Sequence, residues 1–198
     1  GLPVDRGPKD LYDLPEYLGG ASRRRELLEE YSIEILAEIN HASWLSDDEL
    51  LSEAERLVES GADVIDLGMV PGEVWSGVEQ STRRLVGEGF RVSIDSFDRF
   101  EVEPAVSGGA ELVLSCDPSN VEWLSPLAAA NGTAVVAIPA MPGGLDSLGP
   151  VLERLAGDGV EFRVDPVLEP IGLGFAASLE RFFEARRRWP EAEMMMGT

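Results

Sequence analysis

Two patterns alternate along the chain. Short β-branched or aliphatic runs of four to six residues, each preceded by a glycine and closed by a carboxylate, alternate with longer segments whose apolar residues recur at helical spacing. Gly61-Ala62-Asp63-Val64-Ile65-Asp66-Leu67-Gly68 shows the first pattern most compactly. It recurs as Gly89-Phe90-Arg91-Val92-Ser93-Ile94-Asp95-Ser96, then as Gly109-Ala110-Glu111-Leu112-Val113-Leu114-Ser115-Cys116-Asp117, and in looser form from Gly159 to Asp165-Pro166. A glycine in that place suits the left-handed residue that ends a helix. An earlier run, residues 33–39, ends at Asn40. Ser46 followed by Asp47-Asp48-Glu49 predicts an N-cap and an acidic first turn, with Leu50, Leu51, Ala54, Leu57 and Val58 repeating at helical spacing to about residue 60.

Further strands are predicted at 64–67, up to Asp95, up to Asp117, at 133–138, at 161–164 and at 193–196. The intervening helices are predicted at about 74–88, 100–106, 118–130, 148–156 and 176–188. Strict alternation with short connections predicts an α/β protein with a parallel sheet and right-handed crossovers. Seven such strands match a (β/α)8 TIM barrel truncated after strand 7. A doubly wound open sheet is the alternative, but no Gly-x-Gly-x-x-Gly follows the first strand, where a dinucleotide fold places it. Residues 1–30, with Pro3, Pro8, Pro15 and Gly19-Gly20, lack a sustained apolar period and read as an N-terminal arm or linker. Residues 31–198 form the barrel domain.

Composition narrows the class. With 198 residues, 44% of them hydrophobic, the chain can bury one substantial core. No run approaches the roughly 18 apolar residues that span a bilayer, and no basic segment leads into an apolar one at the N-terminus, so a cytoplasmic protein without a membrane partner is expected. The formal charge of -21, with one lysine (Lys9) against fifteen arginines, argues against nucleic-acid or anionic-membrane partners. That balance fits either a protein kept soluble in high salt or a GC-rich genome. The single cysteine excludes an internal disulfide and any multi-cysteine metal cage, and the single histidine, His41, excludes a His-pair metal site.

In a barrel of this kind the active site lies at the carboxyl ends of the strands, where Asn40, Asp66, Asp95, Asp117 and Asp165 all fall. A single acid at a strand end reads equally well as a turn former or helix cap. Five on strands one, two, three, four and six form a converging ring of acceptors suited to a ligand rich in N–H donors, or to a metal. His41 is either an acid–base group or a loop residue, and Cys116 is either a pocket residue or a small buried one.

These stretches, together with Val164-Asp165-Pro166, resemble dihydropteroate synthases and, more broadly, the pterin-binding barrels, over about residues 33–198. The similarity is greatest to the archaeal-type dihydropteroate synthase-related proteins associated with methanopterin. The resemblance implies that Asp95 and Asp165 hydrogen-bond a pterin ring and that Asp66 lies beside the pocket. It also implies that Asn40 helps bind Mg2+ and pyrophosphate, so that Asn40 and Asp95 carry the catalytic role. Chemically, the 2-amino group and N3–H of a pterin are parallel donors that a buried carboxylate accepts in a fork. Met141 and Phe175 are candidate apolar walls for the ring, or plain packing residues.

Several positions depart from the synthase pattern. Cys116, with Asp117 next to it, stands where the family has an asparagine at the end of strand four, and Met69-Val70-Pro71-Gly72-Glu73 replaces the loop that shapes the aminobenzoate site. The stretch from Val164 to Gly172 is also similar to methyltetrahydropterin:corrinoid methyltransferases. The expected function is therefore the joining of a hydroxymethyl-dihydropterin diphosphate to an arylamine, in folate or methanopterin biosynthesis. A corrinoid methyltransferase and a non-catalytic pterin-binding module are the alternatives. The family's strand-seven lysine and strand-eight arginine and histidine fall beyond Thr198. The expectation is weak pterin binding without turnover, and either a homodimer or additional domains of a longer chain.

Overall fold

The structure, a computed structural model, describes residues 33–70, 72–140 and 144–197. The predicted arm at residues 1–30 and the candidate Met141 lie outside the described residues. Seven strands form one wholly parallel sheet in sequence order: β1 (Leu36–Ile39), β2 (Val64–Gly68), β3 (Val92–Asp95), β4 (Leu112–Cys116), β5 (Ala134–Ala137), β6 (Phe162–Val164) and β7 (Glu193–Met194). Helices α1 (Asp47–Glu59), α2 (Val78–Gly87), α3 (Arg99–Gly108), α4 (Val121–Asn131), α5 (Leu148–Gly157) and α6 (Phe175–Arg188) connect them. An uninterrupted 1-to-7 order has no topological switch point, so the wall is that of a barrel and the doubly wound alternative falls.

Residues alternate between the two faces of each strand, and the alternation sorts the core into two layers. Ile65 and Leu67 of β2 pack with Leu50, Ala54 and Leu85 of the covering helices. Ile94, Val113, Cys116, Val135, Ala137 and Val164 join a second outer cluster with α3, α4 and α5. On the opposite face Leu112, Leu114 and Val136 form a separate cluster, against which Leu36 of β1 and Met195 beside β7 pack. Contact of β1 with β4 and β5 residues is possible only because the sheet curls on itself. Ion pairs make the same point, since Glu34, just before β1, bonds Arg163 of β6 at 2.6 Å, and Arg163 reaches Glu193 of β7 at 3.3 Å.

The start of α1 follows the sequence closely. Ser46 accepts from the Glu49 backbone N–H while the Glu49 carboxylate accepts from the Ser46 N–H, a reciprocal cap worth about 1 kcal/mol. Helix α2 begins four residues later than predicted, because Pro71-Gly72 and the loop to Gly77 interrupt the period. Strand β4 stops at Cys116 and its register with β5 shifts between Val113 and Cys116, which decides which of its polar residues faces inward.

Candidate functional site

The lumen of the curled sheet is a cavity of about 1070 Å3 that opens at the carboxyl ends of the strands. Four of the carboxylates on its wall are Glu38 of β1, Asp66 of β2, Asp95 of β3 and Asp165 just after β6, and Asn40 stands at the mouth. Strand register explains the gathering. Glu38 is the Cα partner of Asp66, Asp66 of Ser93, and Gly68 of Asp95, so adjacent strands aim these side chains the same way.

Asp66 is the most buried of them, at 4% exposure, and accepts a hydrogen bond of 2.7 Å from the Ser93 hydroxyl. Burial pushes its carboxyl up to about 7; the Ser93 bond opposes the rise, while the charges of Asp95 and Glu38 add to it. Asp95 accepts a short hydrogen bond from the Ser115 hydroxyl. Asp165 is also pushed up by burial and by the nearby Asp95 charge, and the backbone N–H groups of Val167 and Gly197 pull it back. The Val167 N–H lies 2.7 Å from Asp165 Oδ1. Val167 has φ +68, a left-handed conformation that costs a β-branched residue of order 1–3 kcal/mol. Among the described residues, the cation lining the cavity is Arg163, and Glu34 and Glu193 already engage it. Asp66, Asp95 and Asp165 have no ion-pair partner among the described residues.

Of the residues singled out in the sequence, Asn40, Asp66, Asp95 and Asp165 are brought to one cavity. The other described candidates are not. Cys116 is fully buried on the helix-facing side, and burial, with the Asp117 charge added, pushes its thiol up to about 12. Asp117 accepts from the Ser119 N–H at 2.7 Å and hydroxyl at 2.5 Å, which makes it the turn before α4. Phe175 opens α6 away from the cavity wall. His41, also left-handed at φ +53, stacks on Trp44 with ring centroids 4.5 Å apart, and the Trp44 indole N–H reaches Glu73 at 3.3 Å, joining the loops after β1 and β2.

Glu38 and Ser115 are among the wall residues that the sequence reading does not single out. Glu38 was legible, because Asn40 facing inward fixes the parity of β1 and turns Glu38 inward as well. Ser115 was not, because the register shift in β4 exchanges the face expected of Ser115 and Cys116.

The curled parallel α/β sheet is a partial barrel, and its fold is that of the dihydropteroate synthase structures. The dihydropteroate synthase of Yersinia pestis, solved with a pterin–sulfa conjugate, superimposes with a TM-score of 0.64 over 83% of this chain and 71% of that one, at 19% identity. The enzyme of Xanthomonas albilineans, solved with 4-aminobenzoic acid, gives 0.63 over the same shares, also at 19% identity. In sequence the chain is similar to an uncharacterized protein of Methanocaldococcus jannaschii, 32% identical over 180 residues. That alignment covers 82% of this chain and 34% of the relative, so the chain spans about a third of that relative's length. No family model matches the chain.

Proposed function

We propose that the cavity binds a pterin, with Asp95 and Asp165 accepting the 2-amino group and ring N–H, and Asp66 accepting a further donor directly or through water. One observation supports this reading: with the nearby Arg163 held by Glu34 and Glu193, three lumen carboxylates, on β2, on β3 and just after β6, have no ion-pair partner among the described residues. A donor-rich, planar, uncharged heterocycle satisfies them without bringing in more negative charge. The Leu114 and Ile138 side chains on the same wall supply apolar surface for its ring faces.

The reaction we infer is the joining of a hydroxymethyl-dihydropterin diphosphate to an arylamine, with the cavity holding the ring as the diphosphate departs. Mg2+ would enter with the diphosphate. The residues present fit such a substrate-borne ion, because Asn40 offers a neutral amide oxygen at the mouth, and Mg2+ is typically held by one or two protein groups plus phosphate oxygens and water. When bound, the ion would disperse the charge of the leaving group. A second reading, a pterin-binding module that performs no condensation, is favoured by the engagement of Arg163 by Glu34 and Glu193, which leaves it unavailable to an anion.

Calorimetric titration with a hydroxymethyl-dihydropterin tests the reading. Asp165→Asn replaces two acceptor oxygens with one acceptor and one donor group, and should weaken binding by about 100-fold or more. Unchanged affinity in that variant removes Asp165 from the site and the pterin fork with it.

A further inference from the structure

We propose that Arg181, on α6 and behind the cavity wall, is the positioning residue for Asp165: it holds the turn after β6 in the strained shape that aims this carboxylate into the lumen. The functional meaning of the proposal rests on the pterin reading of Asp165, while its structural half concerns the free protein.

The turn consists of Asp165, Pro166 and Val167. Its closing bond runs from the Val167 N–H to Asp165 Oδ1 at 2.7 Å, that N–H shares one peptide plane with the Pro166 carbonyl, and Val167 itself lies in the left-handed region at φ +68. A β-branched residue leaves that region unless its surroundings hold it there. Arg181 does the holding. Its guanidinium donates to the Val167 carbonyl at 2.8 Å, to the Pro166 carbonyl at 3.2 Å and to the Glu169 carboxylate at 3.3 Å. One planar fork thus fixes both carbonyls that flank the strained residue, and a lysine cannot reproduce that geometry.

The same helix braces the other end of the segment. Ser178, one turn before Arg181, accepts from the Glu169 N–H at 3.2 Å. Gly174, at φ +129, leaves room for the Glu169 carboxylate, since a Cβ there would lie 2.5 Å from Glu169 Oε2. A helix that merely packed on the sheet would need none of these bonds to converge on residues 166–169. Their convergence on the turn that carries Asp165 assigns α6 a role in the site, although none of its residues lines the cavity.

Two readouts separate positioning from simple packing: the titration midpoint of the Asp165 carboxyl carbon, followed by NMR in the ligand-free protein, and the affinity for a hydroxymethyl-dihydropterin. The charged groups that share the cavity with Asp165 are Glu34, Glu38, Asp66, Asp95, Arg163 and Glu193, and all persist in the variants. In Arg181→Gln the turn relaxes and the Val167 N–H leaves Asp165. Its midpoint should rise, and pterin affinity should fall about tenfold or more, the scale on which residues orienting a binding group act. Arg181→Lys, which keeps the charge and the fold, should shift both in the same direction. Adding Val167→Gly to Arg181→Gln should restore both, because glycine holds the left-handed turn without strain.

An Asp165 midpoint unmoved in a folded Arg181→Gln, or in Arg181→Lys if the former does not fold, overturns the proposal. A midpoint that moves in a protein whose parent binds no pterin supports the clamp and refutes the pterin reading instead.

Discussion

A buried carboxyl that keeps its proton to about neutral pH links the site to the stability of the protein. Asp66 is 4% exposed and is pushed up to about 7 from an ordinary value of 3.8, chiefly by burial. The folded state then binds this proton more tightly than the unfolded chain does. The sign follows: the contribution to stability is fully present below pH 3.8 and is lost as pH rises through about 7, a total of about 4 kcal/mol. Asp66→Asn keeps an acceptor for Ser93 and removes the titration. It should therefore melt well above the parent at pH 8, with the gap shrinking toward pH 5, and thermal melts at the two values check this. Asp66, Asp95 and Asp165 are legible in the sequence as acids at strand ends, whereas Glu38, which also crowds Asp66, lies inside β1 and shows no such signal. Cys116 and Asp117 misled because one shifted residue in β4 turns the thiol outward, and no local sequence signal marks that shift.

At the scale of elements, the loops at the cavity mouth are tied together by a residue with no counterpart in the strand-end pattern. Glu101, in the first turn of α3 and 3% exposed, accepts from the Trp75 N–H in the loop after β2 at 3.0 Å and from the Ser96 hydroxyl after β3 at 2.5 Å. Its acid was legible only as a favourable charge at a helix N-terminus. Burial makes it a bracket between two loops. Glu101→Ala strands both donors in a buried place and should cost about 2–4 kcal/mol, read from denaturant unfolding. A loss no larger than that of an exposed substitution, under about 0.5 kcal/mol, would show that the loops do not depend on it. Element types were legible throughout because the glycine stops and strand-sized runs recur, whereas boundaries moved where proline and glycine broke the period, as before α2. The length of β1 was overestimated because Ile35 uses its N–H to bond the Asp63 side chain at 2.8 Å rather than a neighbouring strand.

For the whole molecule, charge and shape set the remaining expectations. A formal charge of -21 makes the folded state repel itself, and surface ion pairs such as Arg91 with Glu34 and Glu111 at 2.5 Å offset only part of it. The melting temperature should rise from low to molar salt as that repulsion is screened, and a flat response would assign the scarcity of lysine to base composition alone. No described helix is long and apolar enough to cross a membrane. The fold is similar to that of dihydropteroate synthases, and the proposed pterin site is the lumen between β3 and β6. The most direct measurement is a crystal structure of the protein soaked with a hydroxymethyl-dihydropterin. The expected result is the ring seated between Asp95 and Asp165, with its 2-amino group and ring N–H on their oxygens. A lumen left empty at a concentration that saturates binding in solution, or a ring bound elsewhere, would contradict it.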